Sequence, residues 1–303
     1  MPTRRFGRYR FESSKEDKVL FPDAGITKGD LIDYYAAVAP VMLPHVRDRP
    51  ISMQRWPDGI DKHSFFQKET PDYFPDWIKS VKVDTDEGAQ EQVMCQNQAT
   101  LAYLAQQACI TPHIWLSRQD KLDYPDLLVL DLDPPGREFG PVRLAAQRCR
   151  QAVEELGLTA HIQLTGSRGV HIACPLDRSA DFDSVKAVAR ALVGVLAQRY
   201  PQDMTIEHRK AKRRGRVYLD VARNNYGQTI VPPYAVRARP GAPVAAPITW
   251  DELDDAGLDS QHYTIKTIRR RLGQRDCPWK DIRKHAQSIA KLLERVRKVT
   301  DRK

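Results

Sequence analysis

The sequence predicts an α+β fold in which mixed and antiparallel central β-sheets are flanked by helices. Three observations carry that prediction. The first is an apolar run, Leu127-Leu128-Val129-Leu130-Asp131-Leu132-Asp133, cut off by Pro134-Pro135-Gly136. Such a run, stopped where proline removes the ladder donor, reads as a buried strand. The second is a hairpin-like unit over 160–174, with Ile162 and Leu164 alternating on one arm and Val170 and Ile172 on the other. The third is a set of segments with helical apolar spacing, at 98–109, 141–156 and 181–199.

Bulk composition narrows the function classes. The chain has 303 residues, 41% apolar and 29% charged, enough for a sizeable core. No stretch approaches the roughly 20 apolar residues of a membrane span. The basic start, Met1 to Arg10, is followed by no apolar segment of the kind a secretory signal needs. Five cysteines are scattered without a Cys-x-x-Cys pair, which favours reduced thiols in a cytoplasmic protein and argues against a zinc ribbon. A net charge of +9 and a pI near 9.3 point to a polyanionic partner, with nucleic acid ahead of membrane because no amphipathic lipid anchor is evident.

Taken in order, Pro22-Asp23-Ala24-Gly25 marks a turn. Thr27 then caps a helix, with Asp30 in the place of the usual capping-box glutamate. Leu31, Tyr34, Tyr35, Val38 and Met42 come next at helical spacing, and Pro44 is expected to end the element. Lys18 and Lys28 flank the turn and read, one by one, as ordinary surface lysines. Residues 51–56 alternate as a strand up to Pro57-Asp58-Gly59. Phe65 and Phe66 sit in a polar neighbourhood; they are either core or a platform for base stacking, and their own context favours core. Residues 70–90 read as irregular, with a short strand at 78–83. A strand is expected over 111–115, where His113 is open to a packing role or a phosphate contact.

Further along, Gly157 should close the helix over 141–156, and Thr165-Gly166-Ser167-Arg168-Gly169 should form the hairpin turn. Its glycines permit close approach of a ligand, and Ser167, Arg168 and His171 supply a hydroxyl, a cation and an imidazole suited to phosphate oxygens. The densest basic run, His208 to Arg216, precedes a second apolar strand, Val217-Tyr218-Leu219-Asp220-Val221. From about Asp259 the chain reads as helical and basic, through Arg269, Arg270, Arg271, Arg283, Lys284, Arg295, Arg297 and Lys298. The 303 residues are read as a single domain: DNA contacts within 1–120, a metal and nucleotide core over 121–250, and C-terminal helices over 251–303.

The chemistry centres on the apolar run. Side chains alternate along a strand, so Asp131 and Asp133 share one face while Leu130 and Leu132 turn to a core. Two buried carboxylates need a counter-charge, and a hard divalent ion such as Mg²⁺ or Mn²⁺ suits them. Asp220, on a second such strand, is a candidate to pair beside Asp131 and complete a triad.

Several motifs in fixed order resemble the polymerase domain of bacterial DNA ligase D, a branch of the archaeo-eukaryotic primase superfamily that serves non-homologous end joining. They are Val129-Leu130-Asp131-Leu132-Asp133-Pro134, Thr165-Gly166-Ser167-Arg168-Gly169-Val170-His171 and Tyr218-Leu219-Asp220, supported by Arg55-Trp56-Pro57-Asp58-Gly59, Phe65-Phe66 and Tyr234-Ala235-Val236-Arg237. The resemblance implies a primase-polymerase fold and template-directed nucleotidyl transfer with two divalent ions, preferably Mn²⁺, held by Asp131, Asp133 and Asp220. It implies that Ser167, Arg168, His171 and Arg237 grip an NTP or dNTP, assisted by His113 and Arg216. Lys18 and Lys28 match lysines that take the 5′-phosphate of gapped DNA. Phe65 and Phe66, with Arg55 nearby, match aromatics that stack on the template, which reverses the core reading of that pair. Arg168 stands where the family has lysine, and Pro135 where glycine is common. The implied setting is DNA ends in the nucleoid, with Ku and a DNA ligase as partners and no membrane. No Lys-x-Asp-Gly ligase nucleophile occurs, so an excised domain or a stand-alone polymerase is expected. The rivals are a non-catalytic DNA-end-binding scaffold and a haloacid-dehalogenase-like phosphatase using Asp131 and Asp133.

Overall fold

A computed structural model describes residues 2–85 and 88–294. The chain divides into two compact units. The first runs to Asp120 and adds Thr229–Ala246 and Tyr263–Asp276; the second is Lys121–Gln228, Pro247–His262 and the chain from Cys277.

The first unit opens with a hairpin of β1 (Thr3–Phe6) and β2 (Tyr9–Glu12), then the short pair β3 (Val19–Phe21) and β4 (Ile26–Thr27). Helix α1 (Lys28–Val46) starts at the expected capping box: Asp30 N donates to Thr27 Oγ1 at 3.2 Å and Thr27 N donates to Asp30 Oδ2 at 2.8 Å. Its predicted inner face is buried throughout, from Leu31 to Met42. Pro44 does not end it. A proline removes one donor and crowds the carbonyl four residues back, but only a half-turn remains beyond Pro44, and Arg47 N resumes the pattern by donating to Leu43 O at 3.0 Å.

An antiparallel sheet comes next, built from β5 (Ile51–Arg55), β6 (Phe65–Gln67) and, after the hairpin of β7 (Lys79–Thr85) and β8 (Gly88–Met94), helix α2 (Gln98–Gln106) and β9 (Cys109–Trp115). The sheet order is Thr229–Ile230, β9, β5, β6. Strand β8 is absent from the sequence reading because Gly88 to Gln92, most of its length, carries no apolar period. Helix α2 stops short of 109: Ala108 takes a φ of 55°, and Cys109 already pairs with Arg55 in the sheet.

The second unit is a six-stranded sheet with β10 (Leu127–Asp133) near its centre. Helix α3 (Gly140–Glu155), strands β11 (His161–Leu164) and β12 (Val170–Pro175), helix α4 (Phe182–Arg199), and strands β13 (Met204–Thr205) and β14 (Val217–Asp220) complete it. The order is β13, β14, β10, β12, β11, then the edge strand Ala246–Ile248. Only the β13–β14 pairing is parallel among the registered pairs. Helices α3 and α4 pack against β10, and Leu128, Leu130 and Leu132 are fully buried.

The chain after Asp259 is mostly irregular rather than helical. A seven-residue helix, Ile268–Gln274, holds Arg269, Arg270 and Arg271, and Arg283 and Lys284 lie in the 3₁₀ turn Ile282–His285. There the backbone bonds outward instead of to itself: Gln287 N donates to Pro175 O at 3.1 Å and Asp177 N to Gln287 O at 3.1 Å. Arg295, Arg297 and Lys298 lie outside the described residues. Among the described residues no helix is long and apolar enough to cross a membrane.

Candidate active site

Cross-strand register assembles the acids. Asp131 pairs with Asp220 of β14 on one side and with His171 of β12 on the other, and His171 pairs in turn with Gln163 of β11. Paired residues project to the same face, so Gln163, His171, Asp131 and Asp220 form one row across four strands. Asp133, two residues on, shares that face opposite Tyr218.

The electrostatics reflect crowding. Burial, reinforced by the charges of Asp131 and Asp220, raises the Asp133 carboxyl above its ordinary range, while Arg168 and Arg213 oppose the shift. Burial and the Asp220 charge push the Tyr218 phenol up to about 12. His171 Nε2 and Arg223 Nε each stand 3.7 Å from an Asp131 carboxylate oxygen. Asp220 accepts from Ala222 N at 2.8 Å. Three carboxylates on one face, mutually repelling, are the donor set a hard divalent ion takes. Among the described residues, however, no three His, Cys, Asp or Glu side chains converge closely enough to form a ready-made cage. His171 is only 5% exposed, and its Nδ1 is buried without a hydrogen-bond partner. Burial without a partner is costly, so that atom fits a bound ligand.

The turn between β11 and β12 is braced from inside. Thr165 Oγ1 donates to Gly169 O at 2.9 Å, Ser260 Oγ donates to the same oxygen at 2.7 Å, and Ser167 N donates to Thr165 Oγ1 at 3.3 Å. Gly169 permits a backbone contact that no other residue allows, since a Cβ there would lie 1.9 Å from Leu132 O. The turn is thereby pressed against the acid-bearing strand, with Ser167 half-buried and Arg168 exposed.

Arg216 stands apart from this cluster in its bonding. Its guanidinium donates to Arg213 O at 2.8 Å, Lys212 O at 3.3 Å and Pro201 O at 3.4 Å, bracing the basic turn. Two arginines that the sequence reading missed bear on the acids instead. Arg213 lies over the Tyr218 ring at 3.9 Å and acts on Asp133, and Arg223 faces Asp131. Arg213 belonged to a basic run already singled out; Arg223, three residues past Asp220, carried no local signal.

The first unit holds the remaining predicted residues. Arg55, Phe65, Phe66 and His113 gather on β5, β6 and β9. Phe65 is 38% and Phe66 56% exposed, so the pair is not core. Arg55 lies over the Phe65 ring at 5.5 Å and is held by Gln107 O at 2.8 Å and Gln67 Oε1 at 2.6 Å. Half-buried His113 meets Phe66 edge to face at 5.4 Å. Lys18 Nζ donates to Pro57 O at 2.7 Å and pairs with Asp58. Lys28, in the first turn of α1, is 6% exposed; burial, with Lys18 and Lys15 nearby, lowers its ammonium below the ordinary lysine range. Arg237 is half-buried, with its backbone N–H bonded to Pro243 O at 2.8 Å.

Comparison with known proteins identifies the family. The LigD primase-polymerase domain family matches residues 27–279. The multifunctional non-homologous end joining protein LigD of Mycolicibacterium smegmatis is 32% identical over 273 residues, 89% of this chain and 35% of the relative. The bifunctional LigD of Bacillus subtilis is 29% identical over 286 residues, 93% of this chain and 46% of the relative. The chain thus spans between about a third and a half of these curated relatives. A solved structure, the polymerase domain of Mycobacterium tuberculosis ligase D in complex with DNA, superposes with a TM-score of 0.86 at 31% identity, covering 91% of this chain and 99% of that one. With the family model spanning most of its length and the fold of a solved ligase D polymerase domain, the chain belongs to the LigD primase-polymerase domain family.

Proposed function

We propose that this chain is a template-directed nucleotidyltransferase that adds NTPs or dNTPs to primer 3′ ends and fills gaps at DNA double-strand breaks. The observation that carries the reading is the register placing Asp220 and His171 on either side of Asp131. Asp131, Asp133 and Asp220 would hold two divalent ions, Mn²⁺ or Mg²⁺. Two such ions supply neutralisation of the triphosphate and activation of the primer hydroxyl.

The protein's own groups do the rest. Two divalent charges outweigh three carboxylates, leaving a net positive site for a triphosphate. Ser167 and Arg168, presented by the braced turn, contact phosphate oxygens, and His171 donates to a phosphate oxygen from the row itself. Arg213 and Arg223 add positive charge around the carboxylates. The roles of His113, Arg216 and Arg237 at the nucleotide, and of Lys18, Lys28, Arg55, Phe65 and Phe66 at gapped DNA, rest on the family resemblance. So do the partners, Ku and a DNA ligase, and a nucleoid setting. We propose that the whole chain serves this one activity.

The test is Mn²⁺-dependent primer extension on gapped DNA with a downstream 5′-phosphate, comparing wild type with the Asp131→Ala/Asp133→Ala double variant. Templated extension by wild type, reduced at least ~10²–10³-fold in the variant, is expected. Binding that depends on the 5′-phosphate but yields no extension by either protein would replace this reading with an end-binding scaffold.

A further inference from the structure

Beside the acid row, the second unit contains a cavity of about 250 Å³ between α4, β14 and the segments just after β13 and β14. Val193, Ile206 and Leu219 give it apolar walls. Lys186 and Arg190 line it from α4, four residues apart and so on one helix face. Neither cation has a hydrogen-bond or ion-pair partner among the described residues, and Lys186 is only half exposed. Two like charges one turn apart repel, and partial burial makes the repulsion costlier. The fold gains nothing from them, whereas an anion would. At the opposite wall the Tyr218 hydroxyl and His208 Nδ1 are hydrogen-bonded at 2.7 Å. Ile206 remains 49% exposed at the rim, apolar surface that a ligand would cover.

Two cations beside apolar side chains in one cavity call for a ligand with a charged head and a flat apolar body. The volume lies below that of drug-sized pockets, which suits one nucleotide unit rather than a longer ligand. We propose that this cavity is a second nucleotide subsite for a nucleoside monophosphate unit. Its phosphate sits on Lys186 and Arg190, and its base lies against Val193, Ile206 and Leu219. Asp220 also lines the cavity, so the phosphate belongs at the α4 wall, away from that carboxylate. The unit is either a free nucleotide or one residue of a single strand. The subsite goes beyond the polymerase reading and requires no divalent ion.

Equilibrium binding to the full chain in EDTA tests it, with AMP, adenosine, inorganic phosphate and an unphosphorylated thymidine pentanucleotide as probes. AMP should bind more tightly than either adenosine or phosphate, and Lys186→Ala/Arg190→Ala should weaken it at least tenfold. Ile206→Asp should weaken it several-fold with the melting temperature unchanged. If the double variant melts lower than wild type, Lys186→Gln and Arg190→Gln carry the comparison, each with a several-fold loss. A parallel loss of pentanucleotide binding identifies the strand as source; a loss confined to AMP identifies the free nucleotide. No AMP binding by wild type, or equal affinity in wild type and variants, overturns the subsite. Primer extension by wild type in Mn²⁺ judges the polymerase reading separately, because no step of the EDTA assay depends on it.

Discussion

Two clusters of like charge define this chain, and they are built differently. In the second unit Asp131, Asp133 and Asp220 crowd one face of a sheet; in the first, Lys15, Lys18 and Lys28 crowd the start of α1. Burial and like-charged neighbours push Asp133 up and Lys28 down, so each of these two groups carries its charge less readily than it would in water. The acids are carried on paired strands, with Arg223 Nε 3.7 Å from Asp131 and Arg168 and Arg213 acting on Asp133. The lysines flank a turn, and one is already occupied, since Lys18 pairs with exposed Asp58. The acid row gathers its charge through strand pairing, whereas a phosphate entering the lysine turn must first displace a carboxylate.

That contrast can be broken at the backbone. Gly169→Ala would drive a Cβ into Leu132 O and push the turn off the acid-bearing strand. Denaturant unfolding should show a loss of at least about 4 kcal/mol, in the range of the most damaging single substitutions. No comparable loss is expected from a substitution among the exposed lysines.

Lys28→Met should separate binding from folding. The buried ammonium gains little from the fold, so the melting temperature should hold or rise. Affinity for gapped DNA should fall by about 10–100-fold, the worth of a charged hydrogen bond, and only when the 5′-phosphate is present. Equal losses with and without the phosphate would refute the assignment.

The two clusters should also give opposite pH slopes in EDTA. Folded Asp133 holds its proton more tightly than the unfolded chain does, so stability should fall as pH rises from the ordinary carboxylate range. Folded Lys28 releases its proton more readily, so stability should rise as pH climbs toward the ordinary lysine range. Melting curves of Asp133→Asn should lack the first slope, and those of Lys28→Met the second.

The smallest effect tests the occupied lysine. Asp58→Asn removes an exposed ion pair, so phosphate-dependent binding should tighten by no more than about a few-fold. Unchanged or weaker binding would mean that Asp58 does not compete for Lys18.

By itself the sequence determined the features that short-range periodicity dictates. The alternation of a strand put Asp131 and Asp133 on one face, the spacing Thr27 to Asp30 capped α1, and the glycines of 165–169 marked a tight turn. Their family order carried the remaining assignments. Only the tertiary structure decided which residues meet: Asp220 opposite Asp131, Arg213 and Arg223 acting on the acids, and Phe65 and Phe66 exposed at the surface. The reason is physical. Periodicity is a property of neighbours along the chain, whereas register and side-chain direction are set by pairing between segments as distant as residues 131 and 220, which no local pattern encodes.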